Sequence, residues 1–259
     1  MITLTKNINE AKFVTHAGNF HADDVFSTVF LEKLFNDITI IRLKEYQDDG
    51  TKLAYDIGCG KFDHHQKGYD KKRSNGLHYC GFGLLWQEYG RRFLEKIEEK
   101  NINETFEVFD YLLVMGIDAV DNGEFNFENV YNIYNISSLI ELYRPKFSEN
   151  EDEDGCFLKA TDLARTIFDL VLKDAQTKAK TMEIIKEKEP IIKNSILVLE
   201  EYIPYEFAIF KLGIASKINF VIYPSNRGGY AIHTVPENYK GFKPKIPFNS
   251  AWAGLRDTE

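Results

Sequence analysis

Residues 12–58 read as strand, helix, strand, strand, and that order limits the chain to a small set of folds. Residues 12–16 (KFVTH) form a short apolar run ending in a polar residue, the pattern of a buried parallel strand. Ala17-Gly18-Asn19-Phe20 turns the chain. Over residues 22–35, Val25, Phe26, Val29, Phe30 and Leu34 recur at helical spacing on one face. Asp23 and Asp24 lie in the first turn, where the helix dipole favours carboxylates. Residues 38–43 (ITIIRL) and 52–58 (KLAYDIG) are two further strands. The order predicts a right-handed βαβ unit on a parallel sheet, an α/β fold. Such sheets collect ligands at the carboxyl ends of their strands, and His16, Asp56 and Asp63 all fall at expected ends.

Four groups of side chains there carry possible chemistry: His16 with His21 and Asp23, Asp56, Asp63-His64-His65, and Asp118 with Asp121. A lone Asp at a strand end is usually a turn or cap residue, and a lone buried His usually a satisfied core residue. Two adjacent histidines after an acid are harder to explain as packing, because they would bury two costly polar rings for no apolar gain. Imidazole and carboxylate without thiolate suit Mn²⁺, Mg²⁺ or Fe²⁺, with Zn²⁺ admissible. Two such ions about 3.5–4 Å apart need a bridging carboxylate, and this pairing commonly cleaves phosphate esters. Asp24 reads as a helix-start carboxylate only. Cys59 and Cys80 read as small buried residues, and His78 and His233 as structural.

Further along, residues 83–99 and 104–118 are amphipathic helices, the second halted by Asn122-Gly123. Residues 130–143 read as helix, and 148–155 (SENEDEDG) as an acidic loop that caps the next helix and separates two domains, 1–148 and 149–259. Residues 156–188 form that long helix. Residues 196–203 and 206–212 read as strands, and 219–223 and 230–235 as a hairpin around Asn226-Arg227-Gly228-Gly229.

A net charge of −8 excludes a general basic field for long nucleic acid, so any such substrate is held locally or by metal. Three cysteines without a CxxC pair exclude a disulfide framework or zinc ribbon. Residues 1–11 lack a signal-peptide core and no run approaches a membrane span, so a soluble cytoplasmic protein is expected. The oligomeric state is open, a homodimer included.

Asp63-His64-His65 following an isolated Asp56, after a strand bearing His and Asp, resembles the DHH phosphoesterase superfamily. Within it, the stretch from His16-Ala17-Gly18-Asn19-Phe20 to His21-Ala22-Asp23, with Asp118-Ala119-Val120-Asp121-Asn122-Gly123, resembles one branch more narrowly, the MYG family, named for a melanocyte-proliferating gene product. Gly83-Leu84-Leu85-Trp86, Phe220-Val221-Ile222-Tyr223-Pro224, Thr234-Val235-Pro236 and Trp252-Ala253-Gly254-Leu255-Arg256-Asp257 extend the likeness over nearly the whole chain.

The resemblance implies a parallel-sheet catalytic domain followed by a smaller α+β domain that closes on substrate, joined by a long helix. It implies His16, His21, Asp23, Asp56, His64 and Asp121 as ligands of two Mn²⁺ ions, Mg²⁺ or Fe²⁺ being alternatives. Asp56 would be the bridge and Asp118 the second choice to Asp121. His65 would contact the substrate phosphate and Asp63 would orient it, and Arg227 beside its glycines could add a substrate contact. The implied activity is 3′→5′ exonuclease action on RNA or short oligonucleotides. Alternatives are a phosphatase or pyrophosphatase on small phosphate esters, or a non-catalytic metal-binding protein. His21 stands where many superfamily members have an acid, and His78-Tyr79-Cys80-Gly81-Phe82 replaces a Ser-rich segment. The family usually continues past the Trp252–Asp257 motif, so an end at Glu259 predicts looser binding or a smaller substrate.

Overall fold

The computed structural model describes residues 1–125, 133–147 and 150–255. The chain divides into two compact units, Met1–Ala175 and Gln176–Glu259. The boundary expected at 148/149 lies outside the described residues, as do Val130 and Arg256-Asp257.

The first unit is built on four parallel strands in the order β1-β3-β2-β4: β1 Ile2–Leu4, β2 Phe13–His16, β3 Ile38–Leu43 and β4 Leu53–Ala54. The expected parallel sheet is therefore present, with an edge strand, β1, that pattern alone did not reveal. β1 is only three residues long and half-exposed, too short to show a period. The strand expected over residues 52–58 is cut to two residues. Asp56 (φ 55°), Gly58 (φ 91°) and Cys59 (φ 55°) take left-handed conformations that end extended backbone.

Helix α1 (Ala22–Phe35) follows β2 and is buried on nearly every side, Leu31, Ser27 and Thr28 included as well as the expected face. It meets α2 (Gly81–Lys96) across an aromatic core. Phe30 and Trp86 ring centres lie 5.4 Å apart, Trp86 and Phe109 4.5 Å, and Phe109 and Phe168 4.8 Å. Val14, Ile41 and Ala54 form a smaller apolar cluster with Ala11.

The second amphipathic helix runs as α3 (Ile102–Phe109), a π-helical segment (Asp110–Val114) and α4 (Met115–Asp121), with Asn122 as its cap and Gly123 at φ 66°. Gly83 on α2 lets α4 approach closely, since a Cβ there would lie 2.3 Å from Asp118 Oδ1. Asp118 is locked by its own partners and cannot retreat, so Gly83→Ala should cost about 1–3 kcal/mol. A thermal melt unchanged from wild type would contradict this. Of the helix expected over 130–143, α5 covers Ile136–Glu141.

Helix α6 spans Glu153–Lys188, and Asp152 accepts from Gly155 N at 3.0 Å, so the acidic run does cap it. The second unit carries a sheet of order β5-β6-β7, with β5 (Ile196–Val198) parallel to β6 (Phe220–Pro224) and β7 (Tyr230–Thr234) antiparallel to β6. The hairpin turn falls where expected. Residues 206–212 were expected to be a strand but belong to helix α7 (Tyr205–Lys211), which buries Tyr205, Phe207, Ala208 and Ile209. A short aromatic and β-branched run carries no period long enough to tell strand from helix. No helix among the described residues is long and apolar enough to cross a membrane.

Candidate metal centre

The loop between β2 and α1 is fixed through its carbonyls. Arg42 on β3, its side chain almost wholly buried, donates from Nη2 to Gly18 O at 2.9 Å and from Nε to His16 O at 3.3 Å. Its third nitrogen, Nη1, reaches Asp154 Oδ1 at 3.1 Å. Arg144 donates to Phe20 O at 2.6 Å. His16 thus ends β2, and His21 caps α1, whose first turn presents Asp23 and Asp24. Asp23 is held by the opposite element: the amides of Gly81 and Phe82 at the start of α2 donate to its two oxygens at 3.1 and 2.6 Å.

Asp56 sits just past β4, and Asp63 braces the following turn, accepting from Cys59 N at 2.7 Å and His65 N at 2.9 Å. Asp121 is the last residue of α4. These elements bring His16, Asp23, Asp24, Asp56, Asp63, His64, His65 and Asp121 together in three overlapping groups, each with ligand atoms within 4.8 Å of one another. In one, His16 Nε2 lies 3.2 Å from Asp56 Oδ2 and 3.3 Å from Asp24 Oδ2. In another, His64 Nε2 lies 2.9 Å from Asp121 Oδ2, and His64 Nδ1 lies 3.6 Å from Asp23 Oδ2. Asp56 Oδ1 faces His64 Nδ1 at 3.4 Å and His65 Nδ1 at 3.0 Å.

The charges press on one another. Burial pushes Asp23 well above the usual carboxylate range, and the negative Asp56 and Asp121 push the same way. Burial likewise takes Asp24 up to about 7, although His16 opposes it. Burial works against a charge on Asp56 too, yet the His16 and His65 rings beside it hold it well below the usual range. His16 rises to about 9 because Asp56 and Asp24 outweigh the effect of burying its ring. Asp56 and then Asp63 raise His65 to about 10. Burial, then the nearby Arg144, lower His21.

Asp24 Oδ2, Asp56 Oδ1 and His64 Nδ1 are enclosed and make no aligned hydrogen bond. Three inward-facing orphan atoms among surplus carboxylates fit a cation, and the oxygen and nitrogen donors can hold a metal ion. A pocket of about 350 Å³ opens on the group, lined by His16, Asn19, His21, Asp56, Asp63 and His65 among others.

Asp118 and Asp121 part company, one turn apart. Asp118 lies outside the three groups, fully buried, with Arg73 Nη2 and Nε at 2.5 and 2.9 Å and Cys80 N at 3.0 Å. Arg73 also pairs with Asp110 at the start of the π-helical segment and stacks over Tyr79 at 4.4 Å. His21 joins none of the three groups, its ring centre 6.1 Å from that of His16. Arg227 lies in the β6–β7 turn of the second unit. His233 bonds Tyr223 Oη at 2.9 Å and His78 pairs with Glu124. Cys80 is buried as expected, but Cys59, in a left-handed conformation at φ 55°, is exposed. Arg73 gave no sequence signal, since its carboxylates lie 37 and 45 residues away. Asp24 was hidden by its helix-start position.

The family model MYG1_exonuc, described as an uncharacterised protein family (UPF0160), matches residues 12–259. The chain is 26% identical to MYG1 protein C694.04c of Schizosaccharomyces pombe, over 96% of this chain and 86% of that one. It is 25% identical to the MYG1 exonuclease of Bos taurus and 24% to that of Homo sapiens, each over 94% of this chain and 74% of the relative. No solved structure matches. With nearly its whole length matched, the chain belongs to the MYG1_exonuc family.

Proposed function

We propose that this protein is a metal-dependent phosphodiesterase that shortens RNA or short oligonucleotides from the 3′ end. The observation that carries the reading is the division of Asp56, whose Oδ2 faces His16 at 3.2 Å while Oδ1 faces His64 at 3.4 Å. One carboxylate thereby serves two groups of ligands, as a two-metal centre requires. His16 and Asp56, with His21 as the further ligand implied by family likeness, would hold one ion. Asp23, His64 and Asp121 would hold the second, beside the other oxygen of Asp56, which lies 3.4 Å from His64. The donor set fits Mn²⁺ best, then Mg²⁺ or Fe²⁺. Such ions, when bound, acidify an attacking water and neutralise charge on the phosphoryl oxygens. Relatives named MYG1 exonuclease support a nuclease.

His65 is the substrate-facing member. Its side chain is 62% exposed at the mouth of the pocket, and its Nδ1 is turned to Asp56 and Asp63. Nε2 is left for a phosphate oxygen. Asp63 fixes the ring by holding both its backbone amide and its Nδ1 side.

With Mn²⁺, a 5′-labelled oligoribonucleotide should give a ladder of products shortened stepwise. His65→Ala should slow it about 10²–10³-fold, the usual loss on removing one donor to developing charge. An intact oligonucleotide alongside hydrolysed nucleoside monophosphate or pyrophosphate would reassign the site to small phosphate esters, which the net charge of −8 also admits.

A further inference from the structure

We propose that Asp24, rather than His21, is the third protein ligand of the ion held by His16 and Asp56. The inference rests on the two-metal reading above and sharpens one of its two sites. Asp24 has divided duties. Its Oδ1 accepts from His21 N at 2.8 Å and closes the start of α1. Its Oδ2 points the other way, 3.3 Å from His16 Nε2, completely buried and without a hydrogen bond. A carboxylate serving only the helix dipole would leave its second oxygen in water. Enclosing that oxygen instead is unfavourable unless a cation meets it.

Ligand supply on the two sides leads to the same residue. Asp23, His64 and Asp121 form a group of three ligands for one ion, with Asp56 Oδ1 3.4 Å from His64 beside it. His16 and Asp56 alone would offer two to the other, and Asp24 is the residue whose ligand atom completes that group. His21 is outside it, half-buried on the pocket wall beside Asn19, where it is free to meet substrate. One imidazole with two carboxylates is an oxygen-rich set suited to Mn²⁺ or Mg²⁺ rather than to a thiolate-seeking metal.

The test is Mn²⁺ titration of the metal-free full chain by calorimetry, with the Mn²⁺-induced shift in thermal midpoint as a second readout. Wild type should take up two ions. Asp24→Asn retains the Oδ1 acceptor that caps α1, so it should keep one ion at wild-type affinity. It should bind the other more than about 100-fold more weakly, beyond the ~10–100-fold loss typical of a group that only supports a ligand. His21→Gln should keep both ions within about tenfold. Asp24→Ser supplies the same readout if the Asn variant does not fold. Two ions at near wild-type affinity in the Asp24 variants, or loss of an ion in His21→Gln alone, would overturn the inference. No ion bound by wild type would overturn the metal-dependent reading itself, a different and distinguishable failure.

Discussion

Replacing Asp56 by asparagine should reduce metal-dependent turnover more than about 10³-fold, above the ~10²–10³-fold loss for a single charge-stabilising donor. The excess follows from position, because Asp56 faces His16 with one oxygen and His64 and His65 with the other. The substitution removes charge from both groups together, so Mn²⁺ uptake should fall at both sites rather than one. Asparagine is the informative choice because Asp56 has φ 55°, a conformation that Asn accepts and most residues resist. Alanine would add backbone strain to the loss of charge. The metal-free Asn variant should melt below wild type, because His16 and His65 lose the carboxylate that sustains their charge, although buried Asp23 is relieved of a like charge. Turnover within tenfold of wild type, measured across a Mn²⁺ titration, would remove Asp56 from the centre of the mechanism.

The largest effect on stability should come from Arg73→Met. Arg73 is buried and forks between Asp118 and Asp110, so its loss leaves carboxylates in a low-dielectric site without their countercharge. Breaking a buried pair from one side costs about 3–5 kcal/mol. For a chain of this size that lowers the thermal midpoint by roughly 10 °C. The deficit should depend on pH. Burial already raises Asp118 in spite of Arg73, and removing the guanidinium raises it further. A folded carboxyl that holds its proton above the unfolded value loses stability as pH rises between those two values. The gap from wild type should therefore be widest near neutrality and shrink as pH falls toward about 4, the ordinary carboxylate value. Adding Asp118→Asn to Arg73→Met should recover part of the loss. An unchanged melt for Arg73→Met would show that this network carries no net stability.

Much of this architecture was legible before any coordinates. The α1 pattern is long enough to show its period, and the apolar runs ending at His16 and Leu43 are bounded by polar and turn residues; both strands are present. Chemical type was legible for the same reason: adjacent imidazoles beside an acid have no packing rationale, and the structure gathers His16, Asp23, Asp56, His64 and Asp121. The failures share a cause. Residues 206–212 and β1 are too short for a period, and β4 ends early because left-handed residues beyond it are invisible in hydropathy.

What the chain determined by itself is the kind of fold and the kind of donor, because periodicity and residue chemistry are local properties. Which donors meet was decided only in three dimensions. Asp118 and Asp121 differ by three residues on one helix, yet one turns to Arg73 and the other to His64. Asp23 and Asp24 are neighbours, but α2 claims both oxygens of the first, and His16 stands over a free oxygen of the second. Helix rotation and the approach of α2 at Gly83 set those directions, and each depends on packing between residues far apart in the chain.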